Sequence, residues 1–151
     1  MSKDQSTVLL VEDEPHIRLF VSELLDEAGF RVIEADNASE ALAIIRGGRA
    51  VNVLLADVDL ASGNNGLELA QTVCKSFSHI EILILTGRQR PSSRDLPAQA
   101  ILLCKPCTNE TILSEVRSAS LRSKRQMRGS LPFADYASAT VGPRNQNGLG
   151  A

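Results

Sequence analysis

Two groups of acidic residues, Glu12-Asp13 and Asp57 with Asp59, each follow a short apolar run of the sequence. Carboxylate oxygens are the ligands that hard divalent cations such as Mg²⁺ bind in proteins. A carboxylate can also act as a nucleophile and form an aspartyl-phosphate. These residue types therefore indicate a metal site, a phosphoryl acceptor or both, provided that the fold brings the two groups together.

The elements that must position these acids can be predicted from the apolar pattern. Short continuous apolar runs alternate with stretches in which apolar residues recur at helical spacing, which predicts alternating strands and helices. Continuously apolar strands indicate a parallel sheet that is covered by helices on both faces. Five such strands fit a doubly wound α/β domain of the flavodoxin-like type, with strand order 2-1-3-4-5. We predict strands at residues 7–11, 31–35, 51–56, 81–86 and 100–104.

The predicted helices are bounded by residues that favour helix ends. Pro15 suits the first turn of the first helix, and Gly29 ends it. Asn37 or Ser39 can cap the second helix, and Thr108 can cap the last one.

The segment between the fourth and fifth strands departs from this pattern because it contains Pro91 and Pro97. Proline lacks the backbone N–H group and disfavours the helical conformation of the residue before it. We therefore predict a shortened fourth helix, at most a turn near residues 92–96.

In a doubly wound sheet, ligands bind beyond the carboxyl ends of the strands. Glu12 and Asp13 follow the first predicted strand, Asp57 follows the third, Thr86 ends the fourth and Lys105 follows the fifth. The first and third strands are predicted neighbours, so three carboxylates should converge. Each pair at about 4 Å would cost on the order of 4 kcal/mol at an effective dielectric constant near 20, and a cation must offset this repulsion.

Lys105 supplies one positive charge, and a hard divalent cation such as Mg²⁺ is the natural complement. Asp57 lies between the acidic pair and the lysine, so it is the candidate nucleophile. In an aspartyl-phosphate, Mg²⁺, the Lys105 ammonium and the Thr86 hydroxyl would balance the charge of the phosphoryl oxygens.

The sequence resembles the receiver domain of two-component response regulators. The matching features are Val11-Glu12-Asp13-Glu14 after the first strand, the single acceptor Asp57, Leu85-Thr86 and Lys105-Pro106, and the resemblance covers about residues 6–122. It implies that Asp57 takes phosphate from a sensor histidine kinase or a phosphotransferase. It also implies a change in contacts with a downstream protein, with no enzymatic activity beyond self-catalysed phosphotransfer and dephosphorylation.

The resemblance also implies roles for the neighbouring residues. Asp13 would bind Mg²⁺ directly, together with Asp57, and Glu12 would bind it through water. The backbone carbonyl of Asp59 would be a further ligand. Lys105 would pair with the phosphate.

Thr86 would move toward the phosphoryl group as the switch residue. The Lys105–Pro106 peptide bond would be cis.

The sequence departs from the family pattern in three ways. These departures affect how phosphorylation changes the surface of the domain, and they leave the phosphorylation chemistry intact. Leu60-Ala61 replace the Met-Pro that usually follows the acceptor. Leu102 occupies the switch position where the family has an aromatic residue, and the segment after Thr86 is interrupted by proline. We therefore predict that the segment Gly87–Gln99 is itself the element that phosphorylation orders.

Two other functions remain possible at the level of the sequence. Asp57-Val58-Asp59 matches the DxD motif of phosphatases of the haloacid-dehalogenase type, which use an aspartate nucleophile. In those enzymes the motif ends the first core strand, whereas Glu12-Asp13 precede it here. A degenerate receiver that acts only as a binding module is the other alternative, but it should lack the acceptor, a metal ligand or the lysine.

Composition and charge indicate the domain boundaries of the chain and its cellular location. The chain has 151 residues and a net charge of −2, yet six basic residues and one acidic residue follow position 116. We predict a receiver domain at residues 1–125 and a flexible basic and polar tail at residues 126–151, with no DNA-binding domain. No apolar run reaches the roughly 18 residues of a membrane span. A cytoplasmic bacterial protein, monomeric or weakly dimeric, is expected.

The three cysteines, Cys74, Cys104 and Cys107, do not predict a disulfide framework because their number is small and odd. Cys104 and Cys107 form a C-x-x-C motif, but a zinc site would need two more ligands. We interpret the pair as incidental.

Overall fold

The computed structural model describes residues 5–58, 66–87 and 96–129. Strands and helices alternate along these residues, as the apolar pattern predicts. The elements are β1 (Thr7–Val11), α1 (Pro15–Glu27), β2 (Arg31–Ala35), α2 (Ala38–Arg46), β3 (Val53–Asp57), α3 (Gly66–Ser76), β4 (Glu81–Thr86), β5 (Ile101–Cys104) and α4 (Asn109–Gly129).

The five strands form one parallel sheet of order β2-β1-β3-β4-β5. The predicted doubly wound, flavodoxin-like fold is therefore confirmed. The third strand extends one residue further than its apolar run, because Asp57 pairs with Leu85 and the next amide, that of Val58, donates to the Leu85 carbonyl at 2.9 Å. Asp57 is thus the last residue of β3 and is held by the sheet itself.

Alternate residues of each strand face opposite sides of the sheet, and both sides are buried. In β1, Leu9 and Val11 pack in the cluster that includes the apolar residues of α2 and α3. Val8 and Leu10 pack in the second cluster, with the apolar residues of α1 and α4. Helices α1 and α4 therefore cover one face of the sheet, and α2 and α3 cover the other.

Local capping explains where the helices begin. The side chain of Glu14 accepts a hydrogen bond from the His16 amide at 3.3 Å, and Pro15 follows in the first turn. Asn37, one of the two predicted caps of α2, accepts from the Glu40 amide at 2.8 Å, and Glu40 accepts in return from the Asp36 amide at 2.7 Å. This arrangement resembles a capping box, except that Glu40 accepts from the residue before the N-cap rather than from the N-cap itself.

The last helix is longer than the strands that it covers. Its 21 residues span about 31 Å, whereas the six residues of β4 span about 20 Å. The excess length packs beneath the amino edge of the sheet. Arg122 pairs with the buried carboxylate of Glu81 at 2.8 Å, Gln126 also donates to Glu81, and the Ser123 hydroxyl donates to the His79 carbonyl at 2.7 Å.

The predicted boundary after residue 125 falls inside this helix, which continues to Gly129. The rest of the predicted tail lies outside the described residues, as does most of the predicted helical turn at residues 92–96. Among the described residues, no helix is both long enough and apolar enough to cross a membrane.

Candidate functional site

The carboxyl edge of the sheet brings most of the predicted site residues together. Asp57 is the last residue of β3 and 4% exposed, Thr86 is the last residue of β4 and 1% exposed, and Glu12 directly follows β1 and is 3% exposed. Lys105 follows β5, and its backbone amide donates to the Thr86 carbonyl at 2.7 Å. Four neighbouring strands therefore supply the side chains of one site.

Lys105 links two acidic residues at this edge. Its ammonium group donates to Oδ2 of Asp57 at 2.7 Å and lies 4.0 Å from Oε1 of Glu12. Both carboxylates are almost fully buried, whereas the lysine side chain is 31% exposed. One cation therefore faces two buried acids, and their charges are only partly compensated.

The surroundings of Glu12 change its acid–base behaviour. Burial, together with the neighbouring charge and hydrogen bonding of Asp57, raises the pKa of Glu12 from 4.5 to about 7. The Glu14 amide, which donates to Oε2 at 3.1 Å, and the Lys105 ammonium oppose this effect. A carboxyl group of this kind carries a proton in part near neutral pH and favours any additional cation that enters the site.

A residue that the sequence reasoning missed holds the backbone of the acidic pair. Arg18 of α1 donates from Nη1 to the Glu12 carbonyl at 2.8 Å and from Nε to Glu34 of β2 at 3.2 Å. Asp13, the next residue along, is partly exposed. In the sequence Arg18 is an ordinary helix residue. Its role becomes visible only when α1 packs against β1 and β2, because its two partners follow or belong to those strands.

Gly66 was also missed, although its position after the polar loop is visible in the sequence. It is buried at the start of α3, directly against the backbone of Asp57. A Cβ atom at this position would clash with the Asp57 carbonyl oxygen and lie 3.1 Å from Cα of Val58. A glycine is therefore required for α3 to approach the end of β3 this closely.

The remaining predicted positions have different surroundings. Leu102 is half-buried, pairs with Ile84 in the sheet and packs against the cluster on the α2 and α3 side. The Lys105–Pro106 peptide bond is cis. Asp59 and Leu60-Ala61 lie outside the described residues, as does most of the segment Gly87–Gln99.

The three cysteines are free thiols. Burial raises the pKa of the Cys107 thiol, and the thiol form is the unreactive one. Nothing in this part of the structure gives the C-x-x-C motif a chemical role.

The donor set at the carboxyl edge fits a hard cation. Within residues 5–58, 66–87 and 96–129, no three His, Cys, Asp or Glu side chains are grouped closely enough to hold a metal ion by themselves. Mg²⁺ does not need such a group, because it is usually bound by one or two carboxylates and keeps several water molecules. The buried carboxylates of Glu12 and Asp57 face a single lysine, so an added divalent cation suits the site.

Comparison with known proteins agrees with this geometry. Residues 8–117 match the family model described as the response regulator receiver domain. The chain belongs to the response regulator receiver domain family. Receiver domains are signalling domains of two-component systems, and the family generally binds Mg²⁺ at its acidic pocket.

Individual relatives support the assignment. This receiver domain is 32% identical over 108 residues to the phyllosphere-induced regulator PhyR of Methylorubrum extorquens, a match that covers 70% of this chain and 40% of PhyR. It is 28% identical over 113 residues to the response regulator receiver protein CpdR of Brucella abortus, covering 72% of this chain and 92% of CpdR. The chain spans only 17% to 25% of three further curated relatives.

A solved structure confirms the fold. The CheY-like receiver domain protein of Methanospirillum hungatei superposes with a TM-score of 0.72 at 24% identity. The superposition covers 81% of this chain and 98% of that protein.

Proposed function

We propose that this receiver domain is a phosphoacceptor of a two-component phosphorelay in which Asp57 is phosphorylated. The ion pair between Lys105 and Asp57 at 2.7 Å, beside the protonatable Glu12, is the observation that carries the proposal. It supports the proposal because the carboxylate proposed as the acceptor and the cation proposed to bind phosphate are in contact at the same edge of the sheet.

The groups that meet at this edge suit phosphoryl transfer from a phosphohistidine. A carboxylate oxygen of Asp57 attacks the phosphorus atom of a phosphohistidine, the P–N bond breaks and an acyl phosphate forms. Lys105 already contacts Oδ2 of Asp57, so its ammonium can follow the charge onto a phosphoryl oxygen. Burial of Asp57 and Glu12 keeps competing water away and strengthens these electrostatic contacts.

Mg²⁺ is the proposed cofactor of this reaction. Asp13 and Asp57 would bind it directly, Glu12 would bind it through water, and the backbone carbonyl of Asp59 would complete the protein ligands. When bound, Mg²⁺ supplies charge neutralisation for the acids and for the incoming phosphoryl group.

The donor is a sensor histidine kinase or a histidine phosphotransferase, and the phosphorylated domain changes its contacts with a downstream protein in the cytoplasm. Thr86 ends β4 at the same edge, one residue from Asp57 in the register of the sheet, since Asp57 pairs with Leu85. A hydroxyl drawn toward the phosphoryl group would pull on the backbone of Gly87 and order the segment up to Gln99.

The acceptor can be identified with a small phosphodonor. The full chain is incubated with phosphoramidate and Mg²⁺, and the intact mass is followed with time. We expect the addition of one phosphoryl group and none in Asp57→Asn. Asp36→Asn is the matched control, because Asp36 follows β2 at the same edge but is exposed, and it should be phosphorylated like the parent protein.

An Asp57→Asn variant that is phosphorylated in full yield would contradict the assignment. A folded parent protein that gains no phosphoryl group from phosphoramidate or from any histidine kinase would instead support a receiver that acts only as a binding module.

Mg²⁺ binding can be tested separately from phosphorylation. Because a ligand that binds only the folded state stabilises it, Mg²⁺ at tenfold excess over its Kd should add on the order of 1.4 kcal/mol to the free energy of unfolding. Asp13→Ala should remove this effect, whereas Asp36→Ala should retain it. A full Mg²⁺ response in Asp13→Ala would mean that the ion binds elsewhere.

A further inference from the structure

Three polar side chains of α1 and β2 form a continuous series of hydrogen bonds that ends on residues 12–14, the acidic loop. The Ser22 hydroxyl donates to Oε2 of Glu34 at 3.2 Å, and Arg18 donates from Nε to Oε1 of the same carboxylate at 3.2 Å. Arg18 also donates from Nη1 to the Glu12 carbonyl at 2.8 Å. One arginine therefore connects a carboxylate of β2 to the backbone of the acidic loop.

The acidic loop is held by hydrogen bonds on both sides of Asp13. The Glu12 amide donates to the Ala35 carbonyl at 3.1 Å, and the Glu14 amide donates to Oε2 of Glu12 at 3.1 Å. The carbonyl that Arg18 binds belongs to the peptide group between Glu12 and Asp13. Arg18 therefore holds the peptide group that leads directly into Asp13.

The orientation of this peptide group determines where the Asp13 side chain can point. A peptide group is planar, so the position of its oxygen fixes the direction in which the backbone enters the next residue. Without the bond from Arg18, the peptide group between Glu12 and Asp13 can rotate, and the Asp13 carboxylate then samples orientations away from the site. The guanidinium therefore acts on Asp13 through the backbone and without touching its carboxylate.

The charge of Arg18 is offset by Glu34. An isolated guanidinium beside the acidic loop would repel a metal ion, because like charges repel over several ångströms. The ion pair between Arg18 Nε and Glu34 Oε1 reduces this repulsion while Nη1 keeps its bond to the loop. The Ser22 hydroxyl occupies the other oxygen of Glu34 and holds the carboxylate in place.

A contribution to overall stability does not account for this arrangement. The side chains of Arg18 and Glu34 are 21% and 43% exposed. Ion pairs with this degree of exposure contribute little to the free energy of unfolding. The property that these contacts can change most is the geometry of the acidic loop.

We propose that Arg18, held by Glu34 and Ser22, is a positioning residue that sets the Mg²⁺ affinity of the acidic loop by orienting Asp13. The proposal rests on the proposed function, in which Asp13 binds the ion. Groups that orient metal ligands from outside the coordination sphere change metal affinity by about 10-fold to 100-fold. The lower end of this range is expected, because Arg18 acts through a backbone carbonyl.

The first experiment measures the Kd for Mg²⁺ of the full, unphosphorylated chain by isothermal titration calorimetry. Arg18→Met removes both donors and keeps an unbranched side chain, and its Kd should be about tenfold higher than that of the parent. Arg31→Met is the matched control, because Arg31 is exposed at the opposite end of β2 and the change in charge is the same. Its Kd should equal that of the parent.

The Mg²⁺ dependence of phosphorylation separates positioning from a general structural defect. With phosphoramidate as the donor, Arg18→Met should need about tenfold more Mg²⁺ for its half-maximal rate. Its rate at saturating Mg²⁺ should stay within about twofold of the parent's, because the lost contact affects binding of the ion and not the later step. A general defect would lower the saturated rate and leave the half-saturating concentration unchanged.

Two further substitutions test the fork and its counter-charge. Arg18→Lys keeps the charge but lacks the planar fork that reaches two acceptors at once, so it should bind Mg²⁺ as weakly as Arg18→Met. Glu34→Gln leaves the charge of Arg18 uncompensated, so it should weaken Mg²⁺ binding at low ionic strength and less so at high salt. Because Glu34 acts only through Arg18, the double variant Arg18→Met with Glu34→Gln should match Arg18→Met alone.

Hydrogen exchange without Mg²⁺ tests the loop itself. The Glu14 amide should exchange faster in Arg18→Met than in the parent or in Arg31→Met, because the loop that carries its acceptor is less well held. Urea unfolding and far-ultraviolet circular dichroism establish that each variant is folded under the conditions of the measurement.

A folded Arg18→Met protein with the parent's Kd and exchange rate would overturn the inference and leave the proposed function intact. So would an Arg18→Lys protein that binds Mg²⁺ like the parent, because the charge alone would then be sufficient. A parent that binds no Mg²⁺, or an Asp13→Ala protein that binds it normally, would overturn the proposed metal site and the inference with it.

Discussion

The Lys105 ammonium lies 2.7 Å from Oδ2 of Asp57 and 4.0 Å from Oε1 of Glu12, so one lysine faces two buried carboxylates from different strands. The three residues follow or end β5, β3 and β1. The positive charge of Lys105 cannot neutralise both carboxylates. This excess of negative charge should affect the phosphorylation rate and the pH dependence of stability.

Replacing Lys105 by methionine should impair phosphorylation strongly. The substitution leaves Asp57 and Glu12 without the cation between them and removes the donor to the phosphoryl oxygens. Loss of one such donor typically lowers the rate about 10²-fold to 10³-fold. The rate of phosphoramidate-dependent mass increase measures this loss. Lys105→Arg should recover part of the rate because it keeps the charge, and equal rates in Lys105→Met and the parent would contradict the role of the lysine.

Glu12 should make the folded protein less stable as the pH rises from 5 to 8. Its pKa is raised to about 7 in the folded state, so the folded protein holds this proton more tightly than the unfolded chain does. The stabilisation is fully present below the unfolded pKa of 4.5 and is lost as the pH rises through about 7. Urea unfolding without Mg²⁺ measures the dependence.

Glu12→Gln is the control for this pH dependence because its amide does not ionise. Relative to the parent, the variant should gain about 2 to 3 kcal/mol between pH 5 and pH 8. A difference between the two proteins that is the same at both pH values would show that Glu12 does not titrate in this range.

Gly66→Ala should affect both stability and the site. The added Cβ would clash with the Asp57 carbonyl oxygen, so either α3 or the end of β3 must shift. Overpacking of this kind typically costs about 1 to 3 kcal/mol. We expect a lower urea midpoint together with slower phosphorylation.

Gly47→Ala is the comparison for this substitution, because its Cβ would come no closer than 3.1 Å to Ala43 O and lies away from Asp57. It should leave the phosphorylation rate unchanged. A Gly66→Ala protein with the parent's stability and rate would mean that α3 moves away at little cost.

Glu81→Ala should destabilise the domain without affecting phosphorylation. Glu81 is buried at the amino edge of the sheet and binds Arg122 and Gln126 of α4. Its loss leaves both donors without this acceptor, and hydrogen bonds to charged groups contribute about 1.5 to 3 kcal/mol. Thermal or urea unfolding measures the effect.

Arg125→Ala on the exposed side of the same helix should change stability by less than about 0.5 kcal/mol. If Glu81→Ala behaves like Arg125→Ala, the second half of α4 does not depend on this contact. If it instead abolishes phosphorylation in a folded protein, the two edges of the sheet are coupled.

The sequence alone was enough to predict the fold and the meeting of four polar residues at the carboxyl edge of the sheet. Short continuous apolar runs such as Leu54-Leu55-Ala56, alternating with helical segments, are typical of buried parallel strands. Parallel strands place their carboxyl ends at the same edge of the sheet. The convergence of Glu12, Asp57, Thr86 and Lys105 follows from that rule, because each lies at a strand end in the sequence. The roles of these four residues in phosphorylation, and those of Asp13 and Asp59 in metal binding, remain predictions.

Only the tertiary structure decided the contacts that depend on packing between distant elements. Arg18, Gly66 and Glu81 carry no local pattern that separates them from ordinary surface, loop and strand residues. Arg18 acts because α1 packs beside β2, and Gly66 because α3 begins against Asp57. Glu81 binds Arg122 because α4 is longer than the strands that it covers, and its last turns pack at the amino edge of the sheet. Such contacts depend on the distances between helices and strands. Apolar periodicity predicts which face of a helix or strand is buried, but it does not predict which residue of another element that face contacts.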